Sequence, residues 1–362
     1  MVAGMLCLSK EAAMFSSYKQ DDVTILLKDI TGLVTPLGTK EREQFIQSGV
    51  HYSEMLPLEY EPSESYLDMF FKAMNLYSRM TADSVASLAD KICQDKKDEI
   101  VLVSLARAGT PVGILIKRYI EQKLGRKAFH YTISIIRGKG IDGNAMSYIL
   151  AKHKPESIQF VDGWTGKGAI QRELIKAMKD YPGVGAGLAV LSDPAGIAEK
   201  SGTHDDFLIA SSCLNSTVSG LLSRTFYRKD IIGTNDFHGA VFYKELASKD
   251  LTYQFIDKIE QQFCFDEIET THSKTSDSGL DEVYAIAKEF NISDINLIKP
   301  SIGEATRVLL RRIPWKILVH SLNDAEHLGH IYQLAKEKGV EIVEYPLKCY
   351  RACGLIQQLA DN

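Results

Sequence analysis

The chain has 362 residues, 45% of them hydrophobic and 25% charged, with a formal net charge of −5. That length suits two domains. The composition is that of an ordinary globular protein, and the acidic balance excludes a wholesale nucleic-acid coat while leaving room for a local basic patch. No apolar run approaches the roughly 18 residues of a membrane helix. The opening MVAGMLCLSKEAAMF has no basic n-region and meets a lysine and a glutamate at once, so no signal peptide is read and a cytoplasmic location is expected. The six cysteines (Cys7, Cys93, Cys213, Cys264, Cys349 and Cys353) are scattered, which predicts free thiols. Cys349 and Cys353 have no second ligand pair nearby, so no zinc site is expected.

In chain order, DVTILL at 22–27 reads as a short strand and 35–53 has charged helical character. Ser63 or Ser65 caps a helix through Tyr66, Met69, Phe70, Met74, Leu76 and Tyr77, with a second helix over 85–92. IVLVS at 100–104 is an apolar strand feeding Leu105-Ala106-Arg107-Ala108-Gly109-Thr110-Pro111 and then a helix. Residues 128–136 form another strand, ending in RGKGIDGN, a basic and glycine-rich loop read either as mobile and able to close over a phosphorylated ligand or as a plain hairpin turn. A helix over 145–152 follows. IQFV at 158–161 is a buried strand, Asp162 to Gly168 (DGWTGKG) a glycine-rich turn, and Ile170 to Met178 a helix. GLAVL at 187–191 is the next strand, and 251–262 a helix that closes the first domain. Alternating strands and helices predict an α/β domain with a mostly parallel sheet. The polar stretch 270–278 (TTHSKTSDS) is the expected linker, which puts the domains at 1–269 and 279–362. The second domain reads as helix 280–290, strand 295–298, helix 304–312, strand 316–320, helix 325–338, strand 340–345 and a last helix beginning at 349–355.

Strand, glycine-rich turn and helix make a phosphate-binding layout, because glycines allow close backbone approach and a helix N-terminus offers free N–H groups. Thr165 adds a hydroxyl and Lys167 a cation, and Asp162 is placed to hold ribose hydroxyls. Two residues, not four, separate Gly163 from Gly166-Lys167, so this is not a Walker A loop. Arg107 is a candidate bidentate phosphate donor; its alternative is a solvated surface arginine. In a parallel sheet ligands sit beyond the strands' carboxyl ends, where Arg107, Arg137, Asp162 and Lys167 are expected to meet.

Three stretches together resemble the phosphoribosyltransferase fold: LARAGTP its pyrophosphate loop, RGKGID its flexible loop and FVDGWTGKG its phosphoribosyl-pyrophosphate motif. The chain more closely resembles a bacterial two-domain family found near tellurite-resistance and stress operons. That family has a phosphoribosyltransferase-like first domain and a smaller α/β/α Pelota-like RNA-binding second domain, and it also carries the label cysteine protease StiP. HYTISIIRGKGID, THDDFLIASSCLNSTVSGLLSRTFYR and DVTILLKD support the likeness, as do GEATRVLLRR, KILVHSLND and YRACGL in the second domain. The resemblance implies Arg107, Ala108, Gly109, Thr110 and Asp162 to Gly168 (with Gly163, Trp164, Thr165, Gly166 and Lys167) as ligand residues. It implies Asp162, Arg137 and Lys139 as catalytic residues. It implies Gly303, Glu304, Arg307, Arg311, Lys316 and Arg351 as RNA contacts. Residues 277–362 are not basic overall, however, which speaks against strong non-specific RNA binding. The motif also departs from the family pattern: Asp162 stands alone where two adjacent acids are usual.

Three functions compete. The first is a phosphoribosyltransferase-like enzyme acting on phosphoribosyl pyrophosphate or a related ribose phosphate, with Mg²⁺ where a pyrophosphate is carried, making a nucleoside-like metabolite in a stress response. The second is a cysteine protease using Cys213 with His204 and Asp205, with Asp206 also beside the histidine, since all three types fall in one segment. Against it, Cys213 also reads as a small buried apolar residue. The third is a non-catalytic nucleotide or RNA sensor. A homo-oligomer is expected, and no membrane partner.

Overall fold

The computed structural model describes residues 15–265 and 278–357. Residues 270–277 of the expected linker lie outside the described residues, while Ser278 is described and caps a helix by accepting from Asp281 N–H.

The first domain opens with two short strands, β1 (Thr24–Ile25) and β2 (Lys28–Asp29), and helix α1 (Thr39–Gln47). Helix α2 (Glu64–Asp95) follows as one continuous element of 32 residues. Two helices were expected there, but no glycine or proline interrupts 64–95 and buried positions recur from Met69 to Ile92, so nothing breaks the helix. Then come β3 (Ile100–Leu105), α3 (Gly109–Leu124), β4 (Ala128–Ile133) and the small hairpin β5 (Ile135–Ile136) and β6 (Gly140–Ile141). Next are α4 (Gly143–Leu150), β7 (Ile158–Trp164), α5 (Ala169–Ala177), β8 (Leu188–Ser192), β9 (Lys200–Thr203), β10 (Gly239–Ala240) and α6 (Thr252–Glu260).

Six of these strands form one sheet in the order β1-β4-β3-β7-β8-β9, and each neighbouring pair is parallel. The apolar run of β3 feeds two cores by alternation: Ile100 and Leu102 face the α2–α3 side, and Val101, Val103 and Leu105 face the α4–α5 side. Strand β9 escaped the sequence reading because KSGT is short and contains a glycine. Gly202 is required there, since a Cβ would run into the backbone of Ser84 on α2.

The second domain contains α7 (Gly279–Glu289), β11 (Ile298–Pro300), α8 (Ile302–Arg311), β12 (Pro314–Val319), α9 (Ala325–Lys338), β13 (Glu341–Glu344) and β14 (Ala352–Ile356). Its sheet order is β11-β14-β12-β13, with β12 and β13 parallel and the other two pairs antiparallel. The last helix expected from 349 is instead strand β14, buried along its whole length between β11 and β12. Gly354 lets α8 pack close: a Cβ there would meet Val308 at 3.0 Å.

The two domains share a seam. Tyr66 of α2 donates to the Leu310 carbonyl, and Tyr350 donates to the Gly166 carbonyl at 2.6 Å. Lys167 donates to the Ile295 and Ile298 carbonyls.

Candidate functional site

The site forms where the carboxyl ends of β3 and β7 meet β11 and α8. Strand β7 runs three residues further than expected, so Asp162 and Trp164 are still paired with Val190 and Ser192 of β8. The turn proper is Thr165 to Gly168, and Gly168 enters α5 with φ +71, which a glycine takes without strain. The Arg107–Gly109 turn lies directly against β7: a Cβ on Gly109 would fall on the Val161 carbonyl oxygen. The two phosphate-loop candidates are therefore side by side, as anticipated.

Their side chains are used differently from expectation. Asp162 is half-buried, with its carboxylate accepting from Gly163 N–H at 2.8 Å. Burial, only partly offset by that N–H and by Arg307, pushes the carboxyl up to about 7. Thr165 does not offer a free hydroxyl; it donates to the Asp193 carboxylate. Lys167 staples the second domain through its two carbonyl contacts, and burial lowers its ammonium to about 8. Thr110 is buried and accepts from the Thr132 hydroxyl at 3.0 Å. Arg107 is no solvated arginine: it donates to Asn215 Oδ1 at 2.7 Å and to the Leu222 carbonyl at 3.2 Å.

The basic loop takes the hairpin alternative, as the turn between β5 and β6, and it is tethered. His51 bonds the Arg137 carbonyl at 3.0 Å, Gly138 N–H donates to Glu173, and Lys139 pairs with Glu54 at 3.1 Å. Arg137 reaches across to Asn296 of the second domain at 2.8 Å and lies 5.8 Å from the Tyr52 ring centre.

Helix α8 was expected to offer an RNA face. It is turned instead onto the first domain. Gly303 faces the Ser212 hydroxyl, and Glu304 accepts from Trp164 Nε1 at 3.4 Å and from Arg307 at 3.3 Å. The Arg307 guanidinium sits 5.7 Å from the Trp164 ring centre. Arg311 donates to Asn215 Oδ1 and to the Cys213 carbonyl, both at 2.8 Å. The remaining two RNA candidates are dispersed: Lys316 pairs with Glu341, and Arg351 with Asp324 at 3.3 Å. Nothing in the residue pattern warns of this, because a basic helix face looks the same whether it meets nucleic acid or another domain.

Between these walls lies a cleft of about 320 Å³. Its charged side chains are Arg137, Asp162, Lys167, Lys299, Glu304 and Arg307, four cations against two acids. Glu304 is held below the usual carboxylate range: burial opposes this, but Arg307 and Lys299 outweigh it. Further arginines crowd the same seam. Burial and neighbouring guanidinium groups lower Arg311 to about 9 and Arg224 to about 10, and the Arg224 guanidinium lies 4.5 Å from the Tyr52 ring centre.

The cysteine–histidine pairing does not form. Cys213 is fully buried and its thiol is pushed up to about 12 by that burial, the reverse of an activated nucleophile. His204 bonds the Asp193 carbonyl at 2.8 Å and the Ser201 hydroxyl at 3.3 Å. Asp205 N–H donates to the Thr203 hydroxyl. Sequence closeness misled here, because β9 and the turns after it carry the histidine and the cysteine to different partners.

The chain matches, over residues 16–260, the family described as tellurite-like stress resistance cysteine protease StiP. A protein of Acinetobacter baylyi named cysteine protease StiP is 40% identical over 364 residues, covering 95% of this chain and 94% of that protein. The chain belongs to the StiP family. In this StiP-family chain, residues 277–358 match the PELOTA RNA binding domain. Among solved structures it is similar to a hypoxanthine-guanine phosphoribosyltransferase of Bacillus anthracis, at 17% identity and TM-score 0.27 over 34% of this chain and 76% of that one. It is also similar to a hypoxanthine phosphoribosyltransferase of Trypanosoma cruzi, at 16% identity and TM-score 0.27 over 53% and 98%. Scores that low carry no argument, and the parallel sheet rests on its own strand pairings.

Sequence reasoning missed Tyr52 and Lys299, and it read Asp206 only as a carboxylate beside His204. Asp206 is buried and accepts from Ile302 N–H at 3.0 and 3.1 Å and from Arg351 N–H at 2.9 Å. It thus caps α8 from the other domain, where a carboxylate meets the positive end of the helix. No spacing rule could have shown this, since 96 residues separate the partners.

Proposed function

We propose that this StiP-family chain is an enzyme whose reacting ligand is a phosphorylated ribose compound held in the cleft between the Thr165–Gly168 turn and β11–α8. One observation carries the reading: four cations and two carboxyl groups line a single cleft of about 320 Å³ beyond the carboxyl ends of a parallel sheet. Phosphate is held by the turn and by Arg307. Asp162 takes the ribose hydroxyls as a lone carboxylate. Catalysis in such a site is positioning and charge stabilisation. Mg²⁺ fits only as a companion of a diphosphate-bearing ligand: the cleft offers Asp162 and Glu304, Glu304 is engaged by Arg307 and Trp164, and hard cations need several oxygen donors. Calorimetry with ribose 5-phosphate, and with phosphoribosyl pyrophosphate plus Mg²⁺, tests the reading. Saturable binding that Arg307→Ala weakens supports it; no heat from either ligand sinks it.

A second reading is cysteine proteolysis, and the specific observation behind it is the name of the relative that is 40% identical over 95% of this chain. The comparisons favour this reading and the cleft geometry favours the first. Proteolysis through Cys213 would need its loop to leave the Arg311 contact, because the thiol is sealed and far from ionisation as it stands. RNA binding by the second domain belongs to the proposal in the same way, with α8 unavailable while the seam is closed.

A further inference from the structure

The cleft has four cations, and three are already engaged. Lys167 donates to two backbone carbonyls, Arg137 to Asn296, and Arg307 to Glu304. Lys299 is the exception: among the described residues its ammonium makes no hydrogen bond or ion pair. It sits on β11 and lines the same cleft as the Thr165–Gly168 turn. Burial, with Arg312, Arg137 and Arg307 nearby, pushes it below the ordinary lysine range despite Glu304. Arginines do not surrender their protons, so a neutral amine in this cleft comes from a lysine, and of its two lysines Lys299 is the one not already donating to backbone carbonyls.

We propose that Lys299 is a catalytic amine that forms an imine with the aldehyde carbon of an open-chain phosphorylated aldose bound in this cleft. The inference rests on the reading of the ligand as a phosphorylated ribose compound, in the form with a free anomeric hydroxyl such as ribose 5-phosphate, whose ring opening exposes that carbonyl. The Lys299 nitrogen lone pair attacks the aldehyde carbon, and the carbonyl π pair moves to oxygen, which takes a proton. A proton leaves the nitrogen, water leaves the carbon, and a C=N bond replaces C=O. Asp162 and Glu304 line the same cleft and are placed to carry these protons. One water is released, and no oxidant or reductant is consumed.

The test traps the imine on the full chain. Protein is incubated with ribose 5-phosphate, or with pyridoxal 5-phosphate as a chromophoric aldehyde probe, then reduced with borohydride and mapped by peptide mass. The expected result is one dominant reduced adduct, on Lys299, that excess inorganic phosphate suppresses. Lys299→Arg and Lys299→Gln should both lose it, and thermal melting reports whether each variant is folded. An adduct of undiminished yield in a folded variant, or one spread over surface lysines, overturns the proposal. Calorimetric binding of ribose 5-phosphate without any trapped adduct also overturns it, and leaves the cleft reading intact. No binding by the wild-type chain overturns both.

Discussion

Asp162 is the residue on which the ligand reading is most exposed to test. Asp162→Asn keeps its shape and removes its charge, so it should weaken ribose 5-phosphate binding by about tenfold, or ~1.4 kcal/mol; calorimetry at pH 8 reads this directly. The same carboxyl has a pH signature. Its folded pKa, about 7, lies above the ordinary carboxyl value. The stability it contributes is therefore fully present below pH ~4 and is lost as pH rises through about 7. The melting temperature should fall between pH 5 and pH 8, and fall less in Asp162→Asn. Part of the slope will survive, because burial also raises Asp206 to about 7. Cys213 gives the opposite kind of test. As a sealed thiol it should react with iodoacetamide more slowly than the half-buried Cys93 and Cys264. Cys213→Ser should keep ligand binding at a cost on the order of 1 kcal/mol. Fastest labelling at Cys213, with loss of peptide cleavage in the serine variant, would instead establish the protease.

Among the elements, the turn from β3 into α3 is the least tolerant. Gly109→Ala places a methyl on the backbone of β7 and should cost about 1–3 kcal/mol. Gly185→Ala, where nothing lies within 4 Å of the new Cβ, should be near neutral, and paired chemical denaturation distinguishes the two. These turns were legible because the parallel strands beneath them are unbroken apolar runs, a pattern few other structures share. β14 was not legible. Its sequence ACGLI has a length and composition that suit a strand or the first turn and a half of a helix, and only its partners β11 and β12 decide the matter. The paired turns of the site could likewise be placed from glycines and charges, whereas the wall opposite them could not. Lys299, Asp206 and α8 acquire their roles from contacts between domains, and such contacts leave no local period in the chain.

At the scale of the whole molecule, the seam decides what each domain can reach. Arg311→Ala takes the Arg311 donor from the Cys213 carbonyl and leaves Asn215 Oδ1 with Arg107 alone, and should lower stability by about 1–3 kcal/mol. If α8 were a free RNA face, the same change would instead weaken RNA binding and reduce its salt slope with no loss of melting temperature. Filter binding and melting on the same variant tell these apart. The order of strands in the second sheet carries a consequence of another kind. β14 is the last of its four strands to leave the ribosome, yet it lies between β11 and β12, the two made earliest. During synthesis those two strands have no direct pairing with one another to settle into. The first domain can therefore assemble its turns while the opposite wall is still unbuilt, and the cleft comes into being only when residues 352–356 thread into the gap. On the proposed ligand reading, a nascent chain would thus be kept from gripping its ligand until translation has passed that point.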